Sequence, residues 1–159
     1  HESPRRGPTF VTKKIIQALI RIKNKKQKIL TLGNLYAVRD WGHAKDYVES
    51  MWKILQYKKA DDWVIATNHE MTVKEFINKC CKKIGLDILW KKNGLNEVAI
   101  DPKTNDIIIK IDKKYFRPGE VDFLKGDYSK AKKFLKWKPR YTTEKLIDDM
   151  IDFETNLHD

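Results

Sequence analysis

The stretch Arg39-Asp40-Trp41-Gly42-His43-Ala44-Lys45-Asp46-Tyr47-Val48 puts a cation, a short extended piece and a helix start side by side. Gly42 interrupts the extended piece. After it, apolar residues recur at helical spacing: Tyr47, Met51 and Leu55 on one face, with Val48 and Trp52 beside them. A helix beginning near His43 aims its unbonded N–H groups back toward Arg39. A guanidinium carries a fixed charge and a planar fork of donors suited to phosphate. Helix N-termini attract anions, so the pair reads as an anion site. By residue type alone, the commoner arrangement is a strand-to-helix junction in which Arg39 pairs with Asp40 or Asp46.

Outward from that junction, helices and strands alternate, which points to α/β architecture. Upstream, His1 to Pro8 holds two prolines and a glycine and reads as a loop. Its Arg5-Arg6 pair suits a phosphate clamp, and equally a solvated tail. Val11, Ile15, Ala18, Leu19 and Ile22 then form a helical stripe, with Thr9 as its expected N-cap. Lys13 and Lys14 sit in the first turns, the unfavourable end for a cation. A bound anion explains them, although lysine on a solvated face is more common. Lys28–Leu32 is a strand closed by a turn at Gly33-Asn34.

Downstream, Trp63-Val64-Ile65-Ala66 reads as a buried strand. Thr72 and Glu75 have capping-box spacing, and Gly85 ends the helix they start. Ile88-Leu89-Trp90 is a further strand. Glu97–Ile100 and Ile107–Ile111 predict an antiparallel hairpin. The loop Tyr115–Asp122 mixes aromatics with Arg117 and Glu120, residue types that suit a base-and-ribose pocket. A short basic helix covers Tyr128–Leu135. Thr143 is the expected cap of a last helix whose inward side is Leu146, Ile147, Met150, Ile151 and Glu154.

Composition narrows the functional classes. The chain has 159 residues, 41% of them hydrophobic, enough for one ordinary core. Lys+Arg 33 against Asp+Glu 22 gives a net charge of +11. That excess suits a phosphorylated ligand, an acidic membrane or a polyanion. The basic residues are scattered and the aromatics keep core periodicity, which argues against nucleic acid. Cys80 and Cys81 are adjacent and the only two, so no disulfide framework is visible. No signal peptide or membrane-spanning run occurs, and a cytoplasmic, reducing compartment is the expectation. No Gly-x-Gly-x-x-Gly opens a helix. The residues by themselves describe a basic α/β domain fit for a phosphorylated ligand, with no catalytic centre of its own.

Several motifs stand in a telling order: His1-Glu2-Ser3-Pro4-Arg5-Arg6-Gly7, Leu32-Gly33-Asn34-Leu35, Arg39 through Glu49, Val64-Ile65-Ala66-Thr67, Tyr115-Phe116-Arg117-Pro118 with Glu120-Val121-Asp122, and Trp137-Lys138-Pro139-Arg140. Together they resemble the C-terminal part of the GDP-mannose 4,6-dehydratases, members of the extended short-chain dehydrogenases/reductases. The resemblance implies a C-terminal substrate-binding lobe spanning 1–159, with a remnant of a Rossmann sheet near 63–67. It implies NADP as cofactor and GDP-mannose as substrate, dehydrated to GDP-4-keto-6-deoxy-mannose on the route to GDP-fucose and related sugars.

By the same resemblance, Lys14, Arg39 and Arg117 serve the GDP portion, and Glu120 the ribose hydroxyls. Val11 and Asn34 stand at the rim, while His1 and Arg6 touch NADP on its nicotinamide side. The glycine-rich loop and the Thr, Glu and Tyr-x-x-x-Lys catalytic set belong to a Rossmann-type N-terminal half expected outside this chain. The 159 residues are accordingly expected to be a fragment that is inactive alone. Cut from its other half, the fragment is expected to expose apolar surface and to self-associate. At full length the resemblance implies a homo-oligomer, dimer or tetramer, without nucleic-acid or membrane partners. Another nucleotide-sugar dehydratase or epimerase, or a basic nucleic-acid-binding module, are the alternative readings.

Overall fold

The computed structural model describes every residue except 117, 118, 120, 158 and 159. The first helix, α1 (Val11–Lys23), leads into β1 (Leu30–Leu32) and β2 (Val38–Asp40). Next come α2 (Ala44–Leu55), β3 (Glu70–Thr72) and α3 (Val73–Ile84). The remainder is β4 (Leu89–Lys91), β5 (Val98–Ile100), β6 (Ile107–Ile111), α4 (Ser129–Phe134) and α5 (Thr143–Asn156). The expected α/β mixture of helices and small sheets is present.

One sheet has the order β1-β6-β5-β4, and β2 with β3 forms a separate antiparallel pair. β5 and β6 are antiparallel with a shift in register near Ala99/Ile100, so the expected hairpin forms. β1 joins that hairpin in parallel, Thr31 opposite Lys110. The main core is built on α1, α3 and α5 together with β1, β5 and β6. Ile15, Leu19, Phe76, Ile77, Ile109, Leu146 and Met150 are all wholly buried within it. Both Cys80 and Cys81 lie in this core, where burial raises their thiol pKa values, that of Cys81 to about 12. A smaller cluster gathers Ala131, Leu135 and Trp137.

Local signals set several boundaries. The Thr72 hydroxyl accepts the Glu75 amide and the Glu75 carboxylate accepts the Thr72 amide, a complete capping box. Gly85 closes α3 at φ 66°, a left-handed conformation that is cheap only without a Cβ. Thr72→Ala removes one side of the box and is expected to cost about 1 kcal/mol in urea unfolding. An unchanged midpoint with an unchanged m-value would show that tertiary packing alone holds this helix end.

Three expectations need correction. Phe10, not Thr9, is the N-cap of α1, because a turn from Gly7 to Phe10 delivers the chain one residue later. Thr142, not Thr143, caps α5 and accepts the Lys145 amide. Residues 63–66 form no strand. Among the described residues no neighbouring strand lies alongside, so Val64 is exposed and only the end at Ala66 and Thr67 is buried.

Helix α2 is oriented by its polar residues. Its apolar stripe faces outward: Val48, Met51, Trp52 and Leu55 are 51–80% exposed, while Asp46 and Ser50 are buried. Asp46 is held inside because its carboxylate accepts the Arg140 and Tyr141 amides and its carbonyl accepts the Trp137 indole N–H. Those bonds turn the polar side of the helix toward the protein.

Candidate functional site

The parallel pairing of β1 with β6 sends both strands out on the same side. The chain leaving β6 coils through a 3-10 turn at Lys113–Tyr115 and lays Tyr115 across Gly33. A Cβ on Gly33 would stand 2.5 Å from the Tyr115 carbonyl oxygen, so this crossing needs glycine. The first turns of α1 close one side and β2 the other. They enclose a cavity of about 450 Å³ lined by Phe10, Val11, Lys14, Gly33, Asn34, Arg39 and Tyr115, among others.

Four of the residues expected to bind substrate therefore share one cavity: Val11, Lys14, Asn34 and Arg39. Lys14 donates to the Thr31 carbonyl at 2.8 Å and lies 4.1 Å from the Tyr115 ring centroid. Lys14 thus reaches the end of β1 at the cavity wall, and not a solvated helix face. Asn34 is fixed from both ends of its amide, donating to Asp122 at 3.1 Å and accepting the Tyr36 amide at 2.9 Å. Arg39 Nη1 donates to the Val38 and Val121 carbonyls, each at 2.8 Å. Those bonds hold the guanidinium at the cavity wall. Arg117 and Glu120 lie outside the described residues.

The expected partnership of Arg39 with the start of α2 is not what forms. His43 caps the helix, its Nδ1 accepting the Lys45 amide at 3.1 Å, and the Glu2 carbonyl accepts the Ala44 amide at 2.8 Å. The chain itself occupies the first N–H groups, so that helix end is closed to a ligand. The two carboxylates named as alternative partners of Arg39 each accept other groups. Asp40 is occupied by the Thr67 amide and hydroxyl and the Asn68 amide, and Asp46 by the amides of Arg140 and Tyr141.

His1 and Arg6 lie on the N-terminal arm beside the cavity and do not line it. The arm is no loose tail. Glu2 is buried and bridges to His43, and its carboxylate accepts the Thr12 hydroxyl at 2.5 Å. Arg6 Nε stands 3.3 Å from Glu2 Oε2, and its guanidinium carbon lies 3.4 Å from the Phe10 ring centroid. The geometry at Nε is a charge contact without an aligned hydrogen bond. His1 packs at 5.3 Å from Tyr47, whose hydroxyl pKa rises to about 12 through burial and the nearby carboxylates of Asp40, Asp46 and Glu2. Lys13 turns inward to Glu154 and the Pro4 carbonyl, so no anion is needed to explain it.

Two features escaped the reading of the sequence. His43 is buried, with Nε2 2.9 Å from Asp149 and its ring stacked 4.0 Å from Tyr141. Its only local signal is its place just ahead of a helix. The second is a correction: Tyr-x-x-x-Lys spacing occurs here at Tyr128/Lys132 and Tyr141/Lys145. Neither forms a reactive pair. Tyr128 packs edge-on against Trp137, Tyr141 lies in the loop before α5 and stacks on His43, and none of the four lines the cavity. Among the described residues no group of three or more His, Cys, Asp or Glu is gathered to hold a metal, and no helix is long and apolar enough to cross a membrane.

Comparison with known proteins agrees with this architecture. The family model described as GDP-mannose 4,6 dehydratase matches residues 1–150. A GDP-mannose 4,6 dehydratase of Drosophila melanogaster is 46% identical over 157 residues, covering 99% of this chain and 40% of the relative. GDP-mannose 4,6 dehydratase 1 of Arabidopsis thaliana is 50% identical over 157 residues, covering 99% and 39%. The chain thus spans about two fifths of the length of the curated relatives it matches. Among solved structures, RMD from Pseudomonas aeruginosa complexed with NADPH superposes with a TM-score of 0.75 over 97% of this chain and 46% of its own. At 17% identity that match concerns the fold alone.

Proposed function

The chain belongs to the GDP-mannose 4,6-dehydratase family of extended short-chain dehydrogenases/reductases, and we propose that it forms the C-terminal, sugar-nucleotide-binding part of such an enzyme. In this reading it holds GDP-mannose during NADP-dependent dehydration to GDP-4-keto-6-deoxy-mannose. One observation carries the proposal: Lys14, Asn34 and Arg39, from three separate elements, converge on one cavity. Two cations and a fixed amide suit a nucleoside diphosphate, whose charge needs donors that do not reorganise on binding. Arg117 belongs with them on the diphosphate and Glu120 on the ribose hydroxyls, with Val11 at the rim.

NADP would supply the hydride acceptor. The residues of this chain fit only an edge contact with it. The Arg6 guanidinium, held between Glu2 and Phe10 with its side chain one-quarter exposed, can offer donors to a phosphate, and His1 stands on the same arm. The chain has no Gly-x-Gly-x-x-Gly loop to cradle a dinucleotide. The main cofactor contacts and the catalytic groups are assigned to a Rossmann-type half not contained in these residues. Support for such a partner comes from the outward apolar stripe of α2 and from exposed Val64 in the unpaired segment 63–66.

The test uses the 159-residue chain. NMR titration with GDP-mannose is expected to shift amides around Lys14, Gly33 and Arg39. Incubation with GDP-mannose and NADP is expected to yield no 4-keto sugar, because neither Tyr-x-x-x-Lys pair of these residues lines the cavity. Shifts confined to another surface would overturn the site, and product formation would overturn the division of labour.

A further inference from the structure

Burying a carboxylate is costly unless partners hold it. Among the described residues the buried acids are Glu2, Asp46, Glu97 and Glu154. Glu2 holds the N-terminal arm, Asp46 turns α2, and Glu154 pairs with Lys13. Glu97 is 2% exposed and stands between a 3-10 turn at Gly94–Asn96 and β5. Its Oε1 accepts the Lys74 ammonium at 2.5 Å, and its Oε2 accepts the Tyr36 hydroxyl at 2.5 Å. Each oxygen thus holds one partner. Tyr36 is 61 positions away in the chain, and neither Tyr36 nor Glu97 lines the cavity.

Tyr36 belongs to segment 33–37, which joins β1 to β2 and walls the cavity with Gly33, Asn34 and Ala37. The start of α3 anchors this segment on both sides of Tyr36. The Leu35 carbonyl accepts the Lys74 amide at 2.9 Å, and the Ala37 carbonyl accepts the Val73 amide at 3.2 Å. Tyr36 itself is held at two points, its hydroxyl by Glu97 and its amide by Asn34 Oδ1. Asn34 donates one amide hydrogen to Asp122, which leaves the second for a ligand. Behind the clasp, the Lys74 ammonium lies 4.8 Å from the Trp90 ring centroid and 5.7 Å from that of Tyr36. The bond to Glu97 also raises the Tyr36 hydroxyl pKa, so the phenol stays protonated as the donor at neutral pH.

Resting on the reading of the cavity given above, we propose that Glu97 and Tyr36 are positioning residues whose bond holds segment 33–37 so that Asn34 meets the ligand in a fixed orientation. A wall that is ordered beforehand loses little conformational freedom when the ligand arrives. Without the bond to Glu97, the Tyr36 side chain regains its freedom, and the amide that holds Asn34 Oδ1 moves with it. The two residues act on affinity, and they act through Asn34.

The experiment measures the GDP-mannose dissociation constant by NMR titration of the 159-residue chain and of Tyr36→Phe, Glu97→Gln, Asn34→Ala and Arg39→Ala. It adds the doubles Tyr36→Phe with Asn34→Ala and Glu97→Gln with Asn34→Ala. Thermal melting checks that each variant folds. Tyr36→Phe keeps the ring and loses the bond. Glu97→Gln has one acceptor oxygen in place of two, so Tyr36 and Lys74 compete for it. Each is expected to raise the dissociation constant roughly 2- to 10-fold, the scale of one side chain left to be ordered on binding. In the Asn34→Ala background neither should raise it further, a non-additivity that marks action through Asn34. Should Glu97→Gln fail to fold, the Tyr36→Phe pair decides alone. Unchanged affinity in Tyr36→Phe overturns the proposal, and so does an equal loss with and without Asn34. If Arg39→Ala weakens binding while Tyr36→Phe does not, the clasp alone falls and the cavity reading stands. If GDP-mannose does not bind, or Arg39→Ala changes nothing, the cavity reading falls and the proposal falls with it.

Discussion

Arg39→Ala is expected to raise the dissociation constant for GDP-mannose by roughly 10- to 150-fold, since charge-assisted hydrogen bonds contribute about 1.5–3 kcal/mol each. Arg39 sits on β2 at the cavity wall, and two carbonyls already accept from its Nη1. Those bonds fix the direction of the guanidinium, so a ligand phosphate need not order it. Arg39→Lys keeps a charge but cannot reproduce the planar fork, and should also weaken binding. NADP affinity should change little, because the cofactor is assigned to the Rossmann-type half and, at its edge, to the arm carrying His1 and Arg6. The measurement is calorimetry of both ligands on a full-length family enzyme carrying this chain. Unchanged GDP-mannose affinity with a lowered melting temperature would make Arg39 a structural clasp between β2 and the Val121 segment.

The second large effect is on stability. Lys13 and Glu154 form an ion pair in which both residues are nearly sealed from water, 5% and 1% exposed. Lys13 also donates to the Pro4 carbonyl at 2.7 Å, which ties the N-terminal arm to α1 and α5. Lys13→Ala leaves a buried carboxylate without its partner, and breaking such a pair costs about 3–5 kcal/mol. Removing both charges with apolar residues of similar bulk, Lys13→Met with Glu154→Leu, should restore most of the loss, because the desolvation penalty disappears with the charges. Urea unfolding of the single and double variants tests this. A single variant within about 1 kcal/mol of the parent, the scale of an exposed pair, would mean that water reaches Glu154 and the pair contributes little.

The fold also gives the excess positive charge its places. The net charge of +11 suggested an anionic partner but could not say where. Many lysines end in surface ion pairs, such as Lys79 with Glu144 and Lys83 with Asp148. Pairs this exposed contribute little stability. The cations at the cavity, Lys14 and Arg39, are few, and their value comes from position.

Sequence alone determined the features whose causes lie within a few residues. The Thr72–Glu75 box, the left-handed Gly85, the β5–β6 hairpin and the inward side of α5 all follow from neighbouring side chains and turn chemistry. The family resemblance assigned Lys14, Arg39 and Arg117 to the GDP portion and put Val11 and Asn34 at the rim; of these, Val11, Lys14, Asn34 and Arg39 line one cavity. Tertiary structure decided what those elements meet. Periodicity gave α2 an apolar stripe but could not reveal that Asp46, bonded to Arg140 and Tyr141, would turn the stripe outward. Residues 63–66 have the composition of a strand, yet a strand exists only where another lies alongside to take its hydrogen bonds. Lys13 looked like a surface lysine until Glu154, 141 positions away, arrived beside it. Caps and turns are set by covalent neighbours, while burial and pairing depend on which distant segment the folded chain brings into contact.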